Sequence, residues 1–160
     1  MASWNDLAAA APDLAERAMA RFRATGLAIL ATIRRDGSPR LTGIEVTFRD
    51  GDLWLGMMDG SLKALDLRRD PRLALHAATV DKEVRDGDAK VAGRAVEVLD
   101  EDVKARFLEH VEAESGQAPP GPYHLFRVDV SEVSFLRPAG DHLVIETWTE
   151  GGGYRSVDRY

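Results

Sequence analysis

Four consecutive residues, Gly60-Ser61-Leu62-Lys63, hold the clearest chemical signal in the chain. Ser61 has the side chain of a helix N-cap, and Lys63 falls in the first turn of the helix it would start. A helix N-terminus carries about half a positive elementary charge, so a lysine there is unfavourable unless an anion joins it. The same end presents backbone N–H groups without intrahelical acceptors, a ready place for a phosphate. An ordinary cap followed by an exposed lysine is the plainer reading, and the flanking elements must decide between them.

Other chemistry is sparse. The chain has no cysteine, which excludes disulfides, thiol catalysis and cysteine-ligated metals. The four histidines, His76, His110, His124 and His142, show no metal-ligand spacing, and neither a Gly-x-Gly-x-x-Gly nor a Walker A sequence occurs. No residue stands out as a general acid, base or nucleophile. A net charge of −6 argues against a large footprint on nucleic acid. No apolar run approaches the roughly 18 residues of a spanning helix. Met1 to Asp6 lacks a basic start followed by an apolar core, so no secretory signal is expected and the cytoplasm is the default location.

The elements that must position the loop follow from periodicity and turn signals. Residues 1–160 read as one domain. Ser3 to Thr25 reads as an N-terminal helix, within residues 1–26, with Ser3 and Asp6 at capping-box spacing and Pro12 an awkward interior residue. Leu27 to Ile33 is an apolar run fit for a buried strand. After a turn at Asp36-Gly37, Arg40 to Phe48 alternates as a second strand, and Asp50-Gly51 is a strong hairpin signal leading to a third at Leu53 to Met57. Ser61 to Arg69 is the short helix; Arg68 and Arg69 suit its C-terminus, and Asp70-Pro71 ends it before a strand at Arg72 to Ala78. Ala89 to Leu99 predicts a strand that bends at Gly93. Asp100 caps a helix to about Glu114, followed by a Pro/Gly loop at Gly116 to Pro122. Tyr123 to Leu136 and His142 to Thr149 alternate as strands around a turn at Pro138 to Asp141, and residues 150–160 read as a polar C-terminal tail. Six or seven strands joined by hairpins, with few helices, predict a mainly β protein, an antiparallel barrel with helices packed outside.

The ordered set Asp52 to Leu75, with Ser61-x-Lys63, the short helix, Asp70-Pro71-Arg72 and the following strand, resembles the pyridoxamine 5'-phosphate oxidase-like family of flavin-binding split β-barrels. Ala31-Thr32-Ile33 with Asp36 to Pro39 is similar to the family's first hairpin, and Asp88 to Ala95 to its later strand ending in Gly-x-Ala. The resemblance implies a six-stranded antiparallel split β-barrel with peripheral helices. It also implies a homodimer with cofactor sites at the interface, and hydride transfer at a bound FMN or, as in sister branches, the deazaflavin F420. The substrate would be an unspecified small molecule. Carried over residue by residue, Ser61 and Lys63, with Leu62 between them, would hold the cofactor phosphate. Thr42, Gly43, Ile44, Glu45 and Val46 would run along the ring. Gly56 and Met57 would make further contacts on the phosphate side, and Lys90 would reach the ring from a late strand. The family commonly has an arginine where Leu62 stands, a hydroxyl at Met57 and an arginine at Leu41, so Arg34, Arg35 or Arg40 would have to substitute. Arg17, Arg21 or Arg34 could meet the acidic tail of F420. Two readings stay open beside the oxidoreductase: a non-catalytic flavin carrier or sensor, and a haem-binding split barrel with His76 or His124 as axial ligand.

Overall fold

In the computed structural model, which describes residues 1–160, the hairpin signals become nine strands: β1 (Leu27–Ile33), β2 (Pro39–Glu45), β3 (Thr47–Arg49), β4 (Asp52–Met58), β5 (Arg72–Ala77), β6 (Asp88–Glu97), β7 (Tyr123–Ala139), β8 (His142–Thr149) and β9 (Gly153–Arg159). Four helices accompany them: α1 (Trp4–Ala10), α2 (Pro12–Thr25), α3 (Leu62–Arg69) and α4 (Glu101–Ser115). Every strand pairing is antiparallel.

The main strand order is β2-β1-β5-β6-β7-β4-β3. Its two ends, β2 and β3, are separated in sequence only by Val46. A chain that leaves one edge re-enters the other, so the path closes into a six-walled barrel in which β2 and β3 form one wall. The stretch Arg40 to Phe48 is therefore not the single uniform strand expected from its alternation. Up to Glu45 it pairs with β1, and from Thr47 it pairs with β4. At the changeover Val46 donates its N–H to Gly26 O at 3.1 Å, outside either ladder.

Apolar side chains from all walls fill the barrel, with Leu30, Leu53, Leu55, Leu75, Val91 and Val128 among those essentially without solvent contact. Trp4, Leu7, Leu14 and Phe22 from the N-terminal helices join the same core, Trp4 meeting Phe48 edge-on at 4.7 Å. Ordinary transfer energies make this burial the main stabilising term, about 25 cal/mol per Å² of apolar area. The expected bend falls at Gly93, where the β6–β7 register shifts. A Cβ on Gly93 would lie 2.1 Å from Asp129 O, so only glycine lets the two backbones approach there.

Three further expectations are corrected. The N-terminal segment is two helices, because Pro12 occupies the first turn of α2 and Ala11, at φ −146°, breaks the path before it. The capping box at Ser3 and Asp6 forms in both directions. The polar tail is not a tail: Gly153 to Arg159 pairs with β8 from Thr149 to Leu143 as β9. Its side chains are all exposed, so no hydrophobic alternation marked it as a strand. β7 also runs further than expected, through Pro138 to Ala139. No helix is long and apolar enough to cross a membrane.

Candidate functional site

Helix α3 is held from behind by one carboxylate. Asp66 is buried, and its Oδ2 accepts hydrogen bonds from Thr32 Oγ1 on β1 (2.8 Å) and Arg40 Nε on β2 (2.7 Å). Its Oδ1 accepts from Arg69 at 3.1 Å, and Arg69 also donates to Ile33 O. Burial alone would push the Asp66 carboxyl up, but the hydrogen bonds from Arg40, Thr32 and Arg69 outweigh it and hold the group below its usual range. Arg40 is thereby committed to anchoring the helix. Arg34 spends its Nε on Pro39 O at 3.3 Å.

The loop before α3 is held by a second relay. His124, buried on β7, accepts at Nε2 from the Gly60 N–H at 3.1 Å and lies with Nδ1 3.0 Å from Glu97 Oε1 on β6. Arg68 Nε donates to the other Glu97 oxygen at 2.8 Å. Burial pushes Glu97 up, yet the bonds from Arg68 and His124 leave its carboxyl below the ordinary value. Neither Asp66 nor Glu97 carries a local signal in the sequence, and His124 is a candidate there only as a haem ligand. A buried histidine two residues after Pro122 carried no local signal of its partner at Gly60.

The front of α3 is unsaturated by comparison. Ser61 is the N-cap residue but its side chain caps nothing: Oγ is buried and has no partner. Lys63 is half-buried and donates only to Gly43 O, at 3.2 Å. Burial draws the Lys63 ammonium below its usual value, with no anion of the chain beside it to oppose that. Thr42 Oγ1, on the neighbouring strand β2, is likewise buried and unpartnered. A cationic donor, two unspent hydroxyls and a helix N-terminus fit a phosphate group, so the donor set suits a phosphorylated cofactor.

The predicted residues divide. Lys63 reaches β2, so Ser61, Lys63, Thr42 and Gly43 belong to one region. Ile44 points into the core, Gly43 and Glu45 are exposed, and Val46 sits at the strand changeover. Leu62 is exposed beside the loop. Gly56 and Met57 lie on β4; Met57 packs in the core, and a Cβ on Gly56 would come within 3.3 Å of the Phe107 ring. Lys90 is exposed on β6, opposite His76 and Ser134, and β5 and β1 separate it from β2.

Beside this region lies a cavity of about 690 Å³ between β4, α4 and the loop of residues 116–122. Phe107 and Tyr123 form its aromatic wall, their rings stacked at 6.2 Å. Tyr123 donates its hydroxyl to Lys104 O at 2.6 Å, and burial pushes its phenol up to about 12. Gly56, Met57, Met58 and Glu45 form the opposite side.

Fold and loop together define a six-walled split barrel with a donor-rich helix N-terminus at its surface. The chain belongs to the pyridoxamine 5'-phosphate oxidase family, whose pattern matches residues 14–137. No curated protein matches it in sequence. Among solved structures it is similar to PhzG from Burkholderia lata 383, in complex with tetrahydrophenazine-1-carboxylic acid, with a TM-score of 0.71 at 15% identity over 97% of this chain and 94% of that one. A NimC/NimA family protein from Clostridium acetobutylicum superposes with a TM-score of 0.64 at 16% identity, covering 89% and 90% of the two chains. A haem-binding protein from Mycobacterium smegmatis gives 0.59 at 15% identity, covering 89% and 87%. At such identities these likenesses establish the fold alone.

Proposed function

We propose that the protein binds FMN, or alternatively the deazaflavin F420, and works as an oxidoreductase on a small molecule. The observation that carries this reading is the pair of unspent groups at the start of α3: a buried Ser61 hydroxyl without a partner and a half-buried Lys63 bonded only to one carbonyl. Family membership supports it. When bound, the cofactor would supply the hydride chemistry. Ser61, Lys63 and the first N–H groups of α3 would hold its phosphate, with β2 beside the ring. Lys63→Ala should then weaken FMN binding by about 1–3 kcal/mol, the scale of a charge-assisted hydrogen bond. A fluorescence titration reads this, and an unchanged Kd removes Lys63 from the site.

The homodimer belongs to the same proposal. Leu27 and Ile29 on β1 and Leu41 on β2 face outward together, because the register pairs Ile29 with Gly43 and Ala31 with Leu41. Leu62 and Leu65 expose more apolar surface on α3. Such a patch on a monomer marks an association surface, and light scattering that finds only monomer at working concentration would refute it. The haem reading loses ground on the histidines: His124 has both ring nitrogens engaged, and His76 has Nδ1 on Ala77 O (2.7 Å) and Nε2 on Asp88 (3.0 Å). A carrier or sensor role remains the rival. It gains if bound flavin is not turned over by any reductant and acceptor pair.

A further inference from the structure

We infer that the cavity between β4 and α4 takes a flat aromatic molecule that carries no phosphate or carboxylate, with an amine preferred over a neutral group. Calling that molecule the substrate rests on the cofactor reading above; its binding does not.

The size is right for a small molecule, since about 690 Å³ lies within the roughly 300–1,000 Å³ of such pockets. The walls are aromatic and aliphatic. Phe107 lies against Gly56, where the missing side chain gives it room, and Tyr123 stacks on Phe107. Val111 from α4 and Pro119 and Pro120 from the following loop complete an apolar roof. Such a slot favours a planar ring.

The polar inventory decides the charge. No lysine or arginine lines the cavity, and its single charged group is Glu45. Two of the three lining hydroxyls are already used: Tyr123 donates to Lys104 O, and Ser115 Oγ lies 2.7 Å from Val111 O and 2.8 Å from Gln117 O, which leaves the Thr47 hydroxyl, a neutral group, to meet a ligand. Lys104 is held by Glu101 at 3.3 Å and sits over the Tyr123 ring, and it does not line the cavity. A phosphate or carboxylate entering here would lose its water without gaining a cation, which is strongly unfavourable. Beside Glu45 it would also meet a like charge, whereas an ammonium would meet an opposite one. The phosphate-accepting donors sit on α3 and the amine-accepting carboxylate sits at the cavity, so the two neighbouring regions sort ligands by charge.

Three matched probes test this by calorimetry on purified, cofactor-free protein in inorganic phosphate buffer, which occupies the α3 donors: 1-naphthylmethylamine, 1-naphthalenemethanol and 1-naphthylmethyl phosphate. The amine should bind tightest and the alcohol next, with the phosphate weaker than the alcohol by at least about tenfold. Glu45→Gln should bring the amine to the affinity of the alcohol and leave the alcohol unmoved. Val111→Trp should fill the roof and weaken amine and alcohol alike; Leu108→Trp serves if that variant does not fold. A phosphate that binds as well as the alcohol, or no binding by any of the three, overturns the inference. An amine unaffected by Glu45→Gln overturns the preference for a cation. A parallel FMN titration separates the two claims: absent FMN binding defeats the cofactor reading while the probe order stands on its own.

Discussion

The two ends of α3 are built on opposite principles within eight residues. In the C-terminal half, Asp66, Arg68 and Arg69 all have partners on neighbouring strands: Thr32, Arg40, Ile33 and Glu97. In the N-terminal half, Ser61 has no side-chain partner and Lys63 has one carbonyl. Buried polar groups are normally satisfied, so the saturated end reads as the anchor and the unsaturated end as the place where we propose the cofactor phosphate binds. With the proposed cofactor at the unsaturated end, stability and binding are separated along one helix, and substitutions should pull them apart.

The largest effect is expected at Asp66. Asp66→Asn removes the charge that compensates Arg40, whose side chain is only 16% exposed, and breaking such a pair typically costs about 3–5 kcal/mol. Urea denaturation should show that loss while FMN affinity of the folded fraction changes little; equal damage to both would break the separation. The same variant tests the acid limb. Asp66 and Glu97 have folded values held below their unfolded ones, so their contribution is fully present above about pH 4 and is lost as the pH falls through the folded values. Thermal melts below that pH should fall steeply in the parent protein and less steeply in Asp66→Asn.

A smaller, mixed effect is expected at His124, which sits on the boundary between anchor and loop. His124→Phe keeps an aromatic ring near Phe126, which lies 6.3 Å away, but strands the Gly60 N–H and one Glu97 oxygen. Gly60 is exposed and Glu97 is only partly buried, so the loss should fall near the lower end of the roughly 1–3 kcal/mol that a fully buried unpaired group costs. Because Gly60 precedes the cap, FMN affinity should weaken too, unlike in Asp66→Asn. A variant that loses stability at unchanged FMN affinity would assign His124 to the anchor alone.

What could be read before the fold was known was local. The Asp50-Gly51 hairpin, the Ser3 cap and the Gly93 bend are each encoded within a few residues, and each formed as expected. So did the cap at Asp100, whose carboxylate accepts from Asp102 and Val103. The start of α3 at Ser61 was legible for the same reason, since helix-end signals act within one turn. The anchor was not, because Asp66 meets Thr32 and Arg40 only through a sheet register that brings distant segments together. The switch of partners at Val46 was hidden because alternation continues through it, and β9 was hidden because a strand that buries neither face has no period to detect. The cavity depends on α4 packing over β4, and the Pro/Gly loop that roofs it looked only like a connector.

The smallest effect on stability is expected at Ser61, and its smallness is the point. An N-cap serine replaced by alanine ordinarily destabilises by about 0.5–2 kcal/mol, because its hydroxyl satisfies a first-turn N–H. Here Oγ makes no such bond. Ser61→Ala should therefore leave the denaturation midpoint nearly unchanged and still weaken FMN, since the hydroxyl is free to meet a phosphate oxygen. An ordinary capping loss with unchanged FMN affinity would mean that Ser61 caps α3 in solution. The unsaturated end would then be half as deep as it looks, with Lys63 and the backbone N–H groups left to hold the anion alone.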